Sequence, residues 1–184
     1  MITLILETSS EKGCLVLAKN REPIAFKPLP GGPELSKSLA IEVKNFLNGQ
    51  IPDLIAVGTG PGSYTGIRVG AALAKALSYG WKVPLIGFCS LKAFGPGPVL
   101  VDARMGGFYA LIDEKPILIS PSDPSLKNIS HFSSPHPELI QKRLEHTPIW
   151  RRAEPDPKLL TELVYQQFLE GKLPPLELTY CAFP

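Results

Sequence analysis

AVGTGPGSYTGIRVGAALAKALSYG, Ala56–Gly80, is the stretch whose reading decides the fold. It extends the run LIAVG, Leu54–Gly58, which has so little polar content that it reads as a central strand covered on both faces. Glycines and a proline then break the strand, and IRVGAALAKALSYG continues as a helix ending at Gly80. Gly60 and Gly62 permit positive φ, and Ser63 or Thr65 can cap the first helical amides. A strand that turns through glycines into a helix N-terminus is a ready anion site. The loop nevertheless fails the specific phosphate patterns. A P-loop needs Lys and then Ser or Thr after its last glycine, but Ile67 and Arg68 follow Gly66. The dinucleotide pattern loses its third glycine to Ser63 or Thr65, and the Gly-x-Ser-x-Gly elbow is broken by Tyr64 and Thr65.

On the N-terminal side, ITLILE (Ile2–Glu7) and CLVLAK (Cys14–Lys19) flank TSSEKG and predict a β-hairpin, with a third strand near Pro23–Phe26. PLPGGP breaks the chain. A helix over about Glu34–Asn48 follows, with Leu35, Leu39, Val43, Phe46 and Leu47 on one face and Gly49 as its stop. On the C-terminal side, PLIGF and PVLVDA are strands, with a short helix at Ser90–Phe94 between them. This order predicts an α/β domain over residues 1–98. A smaller unit over residues 99–184 starts with a hairpin turning at Met105–Gly107. Helices are expected there near Pro137–Glu145 and Lys158–Gly171, and PPLELTYCAFP ends the chain as an extended tail.

The 184 residues carry a net charge of +2, which gives no electrostatic case for direct nucleic-acid binding. Cys14, Cys89 and Cys181 are odd in number and far apart, which fits a reduced compartment better than a disulfide framework. No basic n-region precedes the first apolar run, and Lys75 interrupts the longest apolar stretch, so a soluble cytoplasmic chain without membrane contact is expected. His131, His136 and His146 form no ligand pair at helical spacing, so no metal is expected. The segment ETSSEKG places Glu7 at a strand end before Thr8, the arrangement that actin-like ATPases and sugar kinases use around phosphate and magnesium. It offers no glycine before Gly13. Asp102 and Arg104 beside Gly106–Gly107 read as a structural turn or a contact with a partner chain.

ILETSS, the glycine loop with its helix, PLIGFCSLKAF and VDARMGGFYA occur in an order and spacing that resemble the bacterial TsaB (YeaZ) family. The match is dense from Met1 to about Leu111. Glu7 stands where that family usually has Asp. The resemblance implies an actin-like ATPase (ASKHA, ribonuclease-H-like) fold of two small domains, the second reduced. It further implies a non-catalytic scaffold subunit in the synthesis of N6-threonylcarbamoyladenosine in tRNA, inert by itself. The implied partners are a TsaD-like catalytic subunit, which carries the metal, a TsaE-like P-loop ATPase, tRNA through the complex, and a second copy of the chain as an alternative. No cofactor of its own is expected. A nucleotide at a subunit interface, or in a vestigial site formed by Glu7, Thr8, Gly60, Gly62, Ser63 and Thr65, is the open case. The competing reading is a small actin-like ATPase or phosphotransferase using Glu7 and the Gly60–Gly66 region.

Helix geometry offers a surface for such a partner. At about 100° per residue, Val69, Leu73, Ala76 and Leu77 make one face of the second helix, suited to covering a sheet. Ile67, Ala71, Ala74 and Ser78 make a second stripe, small enough for another helix to approach closely. With Ile41, which points away from the apolar face of the first helix, these residues are the expected interface. The resemblance implies the same, pairing through these two helices.

Overall fold

In the computed structural model, residues 1–104, 106–171 and 176–181 are described. Two five-stranded sheets organise the chain. In the first, β1 (Ile2–Glu7), β2 (Lys12–Lys19) and β3 (Glu22–Pro30) form an antiparallel meander. β4 (Leu54–Gly58) then pairs parallel to β1, and β5 (Leu85–Phe88) parallel to β4, giving the order β3-β2-β1-β4-β5. Helix α1 (Leu35–Leu47) joins β3 to β4, and α2 (Tyr64–Trp81) joins β4 to β5. β3 extends well beyond its predicted span, because its alternating pattern continues through Lys27 and Leu29 to the prolines.

The second sheet repeats this plan. β6 (Val99–Asp102), β7 (Phe108–Leu111) and β8 (Pro116–Ile119) form a meander, β9 (His131–Ser134) pairs parallel to β6, and β10 (Ile149–Arg152) parallel to β9. The order is β8-β7-β6-β9-β10. Every strand here has four residues, and the connecting helices α3 (Pro124–Lys127) and α4 (Pro137–Gln141) span barely a turn. The α/β class with two domains, the second reduced, is therefore what the chain adopts.

Both faces of the first sheet are covered. Leu4, Leu6, Leu15, Ile55 and Val57 pack under α1 and α2. Ile5, Val16, Ala56 and Phe88 pack on the opposite face against Leu160 and Val164 of α5 (Pro157–Leu169). The division at 98/99 falls just before β6, but residues 99–184 are not a self-contained unit. α5, capped by Asp156, returns to cover the first sheet and buries Leu160 and Val164 against it. Met105, expected in the β6–β7 turn, lies outside the described residues, as do positions 172–175 and 182–184 of the expected tail. The intervening tail residues have no regular secondary structure; the Thr179 amide donates to the Thr59 carbonyl of the first domain at 2.8 Å, and Cys181 lies against Pro116 of β8.

Helix ends follow local chemistry. Ser63 caps α2, its hydroxyl accepting from the Gly66 amide at 3.3 Å. Asn48 and Lys82 adopt left-handed conformations that end α1 and α2, so α2 runs past Gly80 to Trp81. α2 turns a different face to the sheet from the one expected. Ile67, Ala71 and Ala74 are 1 %, 3 % and 0 % exposed. Val69, Leu73 and Leu77 are half-buried at the flank, against the cluster that includes α1. Gly66 and Gly70 lie on the buried face with Ile67 and Ala71, and small residues are what that close approach requires.

Candidate functional site

A cleft of about 660 Å³ lies between the two sheets. Thr8–Glu11 and Gly62–Gly66 line it from the first domain. Val101–Arg104, Tyr109 and His136 line it from the second. The glycine loop and the strand-end hairpin are thus brought together, as the sequence led us to expect, and they pack against each other along one wall of the cleft.

Gly66 and Gly70, one turn apart on α2, and Gly62 in the loop before it form one seam against the β1–β2 hairpin. A Cβ on Gly62 would strike the Ser9 carbonyl oxygen, one on Gly66 the Thr8 carbonyl oxygen, and one on Gly70 the Thr8 hydroxyl. The contact is also tied by hydrogen bonds. The Ser63 amide donates to the Ser9 carbonyl at 2.6 Å, and Thr8 Oγ1 donates to the Gly66 carbonyl at 2.8 Å. Of the two loop glycines singled out for positive φ, only Gly60 has it, at +96°. Gly62 is required by closeness, not by its dihedral angle. Thr65 is exposed on the first turn of α2 and does not serve as its cap.

The same bonds occupy groups that a phosphate would use. The Ser9 amide donates to Glu7 Oε1 at 2.6 Å, and the Ser63 and Gly66 amides are committed as described. Glu7 is fully buried and does not line the cleft. Its Oε2 is wedged beside the Cα of Gly58 and the Ser90 hydroxyl, and has no hydrogen-bond partner among the described residues. Desolvation raises its pKa above the usual 4.5. The hydroxyls of Ser9 and Ser90 and the Ser9 and Thr8 amides pull it down, but less strongly. Ser90 thus acts on the carboxyl by proximity, while its oxygen accepts the Gly60 amide at 3.0 Å. Burial also pushes the Cys14 thiol, opposite Glu7 on β2, well above its usual value.

Across the cleft, Asp102 and Arg104 do not pair through their side chains. The Asp102 carboxylate accepts the Arg104 amide at 3.0 Å and the Arg143 guanidinium at 2.6 Å, and Arg143 stacks 4.7 Å from the Phe108 ring. Arg104 instead forms an ion pair with Glu11 across the cleft. Sequence reasoning did not single out Ser90 or Arg143. Arg143 lies about forty residues downstream in a segment with no strong periodicity, so only the fold brings it to Asp102. Among the described residues, no three His, Cys, Asp or Glu side chains gather to hold a metal ion, and no helix is long and apolar enough to cross a membrane.

Ile67, Ala71 and Ala74 cannot form the expected interface, because they are buried on the sheet. Ser78 is half-buried and donates to the Val83 carbonyl at 2.6 Å, closing the end of α2. Ile41, by contrast, is 60 % exposed. α2 presents Ala72 and Ala76 to solvent instead. Ala40 of α1 is exposed as well.

Two mixed sheets with one repeated strand order flank this cleft and define a two-domain α/β fold. The family described as "TsaD: tRNA N6-adenosine threonylcarbamoyltransferase" matches residues 44–117. The chain is 37 % identical over 65 residues to the tRNA threonylcarbamoyladenosine biosynthesis protein TsaB of Escherichia coli, covering 30 % of this chain and 28 % of that protein. It is 36 % identical over 63 residues to the TsaB of Bacillus subtilis, covering 30 % and 28 %. The matched segment thus spans little more than a quarter of those relatives' length. The fold match is far wider. YeaZ from Pseudomonas aeruginosa superposes with a TM-score of 0.79 at 18 % identity, covering 98 % of this chain and 100 % of that one. The resemblance to the TsaB (YeaZ) family is borne out, by sequence in the segment around the glycine loop and by fold along nearly the whole chain.

Proposed function

We propose that this chain is a non-catalytic accessory subunit in the synthesis of N6-threonylcarbamoyladenosine in tRNA, acting in the cytoplasm by pairing with a TsaD-type catalytic chain. The observation that carries the reading is the position of Glu7. In an actin-like ATPase the strand-end carboxylate must face the cleft to act on a phosphate-bound metal. Here it is sealed beneath Gly58 and Ser90 with a raised pKa. A carboxyl buried outside the cleft is out of reach of a phosphate-bound magnesium ion or an attacking water. The glycine seam and the committed amides support the same reading. They give the loop a packing role that leaves it little means of cradling a phosphate.

Within such a complex the catalytic partner would supply the metal and hold the tRNA, and a TsaE-type ATPase would be a further subunit. Any nucleotide bound with this chain would sit at the interface with a partner. The test is reconstitution with tRNA and threonylcarbamoyl-adenylate, followed by mass spectrometry of the digested nucleosides. The chain alone should give no modified adenosine. Adding the TsaD-type chain should give product, and omitting this chain should abolish or sharply reduce it. Product formed by this chain alone, or steady ATP turnover that Glu7→Gln removes, would favour the actin-like enzyme reading instead.

A further inference from the structure

A second pocket, of about 230 Å³, opens at the junction of the two domains and shares no lining residue with the cleft. The linker Gly95–Gly97 lines it, between the helical turn Ser90–Phe94 of the first domain and β6 of the second. Leu111 and Ile112 at the end of β7 line it as well, with Leu159 and Leu163 of α5. Of these four, Ile112, Leu159 and Leu163 are only half-buried.

The charged residues of the pocket are Lys92 and Glu114, which form an ion pair. Its two members differ. Lys92 is fixed on the helical turn, with its side chain 30 % exposed, whereas Glu114 comes from the β7–β8 turn and is 83 % exposed. Glu114 also has φ +63°, in the left-handed region that asparagine or glycine fills with less strain. Backbone geometry therefore does not call for glutamate. What it adds at that position is a carboxylate on Lys92 beside an apolar pocket.

An exposed ion pair is worth little, so a competing carboxylate can displace Glu114. A competitor with an apolar body would gain what Glu114 does not, burial against the leucines and Ile112. The volume is below the about 300–1,000 Å³ of pockets for drug-sized ligands, so that body must be small. We infer that this pocket binds a small hydrophobic monocarboxylate, a branched or aryl-substituted acid whose carboxylate takes the place of Glu114 on Lys92. Leu111 belongs to the second domain and Leu159 to the helix that covers the first sheet, so the ligand would touch both domains at their junction. The inference does not depend on the pairing proposed above.

The test uses the whole chain with phenylacetate and 4-methylpentanoate as probes, each compared with its neutral amide. Binding is followed by NMR of the methyl groups of Ile112 and the pocket leucines. At least one acid should give saturable shifts there with a Kd of about 1 mM, the range expected for a ligand of this size. Its amide should bind at least about fivefold more weakly, and Lys92→Gln should weaken the acid by a similar factor. Glu114→Asn, which suits the left-handed turn, should instead tighten it about two- to fivefold, since an exposed pair holds no more than that. Opposite effects from the two members of one ion pair separate ligand exchange from a structural defect. The inference is overturned if neither acid gives saturable shifts up to about 10 mM in wild type or in Glu114→Asn. It is equally overturned if the amide binds as tightly as its acid, if Lys92→Gln leaves the affinity unchanged, or if Glu114→Asn fails to tighten it.

Discussion

Gly66→Ala separates a packing role for the glycine loop from a phosphate-binding one. In this structure the new methyl would lie closer to the Thr8 carbonyl oxygen than the 3.0 Å inside which Cβ atoms are essentially never found. The obstacle is backbone, held by its own hairpin, so no side chain can rotate away to make room. Overpacking of this kind costs about 1–3 kcal/mol, and the backbone obstacle puts the substitution at the upper end. Moving α2 outward also weakens the Thr8 Oγ1–Gly66 hydrogen bond, worth about 1 kcal/mol. Alanine returns about 1 kcal/mol through its higher helix propensity. The net expectation is a loss of about 2–3 kcal/mol. At about 2–4 °C per kcal/mol for a chain of this size, the melting temperature should fall by about 4–12 °C. Gly80→Ala is the control, because a methyl added at that glycine would meet nothing within 4 Å and should be neutral or slightly stabilising. Thermal melts and urea titrations followed by circular dichroism measure both. If Gly66→Ala melts within about 1 °C of Gly80→Ala, the seam is not what requires glycine, and the loop's composition needs another cause.

Three further outcomes follow from the same geometry. Ala71→Glu should lose the native fold, since it puts an unpaired charge under the first sheet at a cost of several kcal/mol, whereas Ala76→Glu on the exposed face should keep native circular dichroism. Glu7→Gln should stabilise the chain relative to wild type at pH 8, and the gain should shrink towards pH 4.5. With a raised folded-state pKa, the wild-type stability due to this carboxyl is full below the unfolded value near 4.5 and falls as pH rises towards the folded one; urea midpoints across that range measure it, and a pH-independent difference would refute it. Arg104→Ala should change stability by less than about 1 kcal/mol, because its pair with Glu11 is exposed. Arg143→Ala should cost about 1–3 kcal/mol, since it strips a half-buried carboxylate of its charged donor, and equal melts for the two variants would contradict this ranking.

The first domain is legible in the sequence because its signals are local and strong. Apolar runs too short for helices, punctuated by Gly and Pro, fix β1, β2 and β4, and the Leu35–Leu47 stripe fixes α1. β8, β9, β10 and α3 are not legible, because four-residue elements in a proline-rich segment leave too little periodicity to distinguish from loop. Of the residues expected to meet a partner, Ile41 is exposed, but those on α2 lie on the wrong side of the helix. Hydrophobicity ranks Val69, Leu73 and Leu77 above Ala71 and Ala74, so a reading by hydrophobicity turns the larger residues to the sheet. The structure turns the smaller ones inward instead.

Closeness explains that inversion and connects it to function. Thr8 and Ser9 leave no room for a Cβ at Gly62, just before α2, or at Gly66 and Gly70 on its buried face. Ala71 and Ala74 continue that face under the sheet, and the larger Val69, Leu73 and Leu77 are displaced to the flank against the cluster containing α1. That rotation leaves Arg68, Ala72, Lys75, Ala76 and Tyr79 facing outward. Tight packing against the hairpin therefore fixes two things together. It fills the space and ties up the Ser63 and Gly66 amides, and it sets which stripe of α2 faces outward. A substitution that loosened the seam would also rotate that stripe, so the cleft and the outward face of α2 are coupled through one helix.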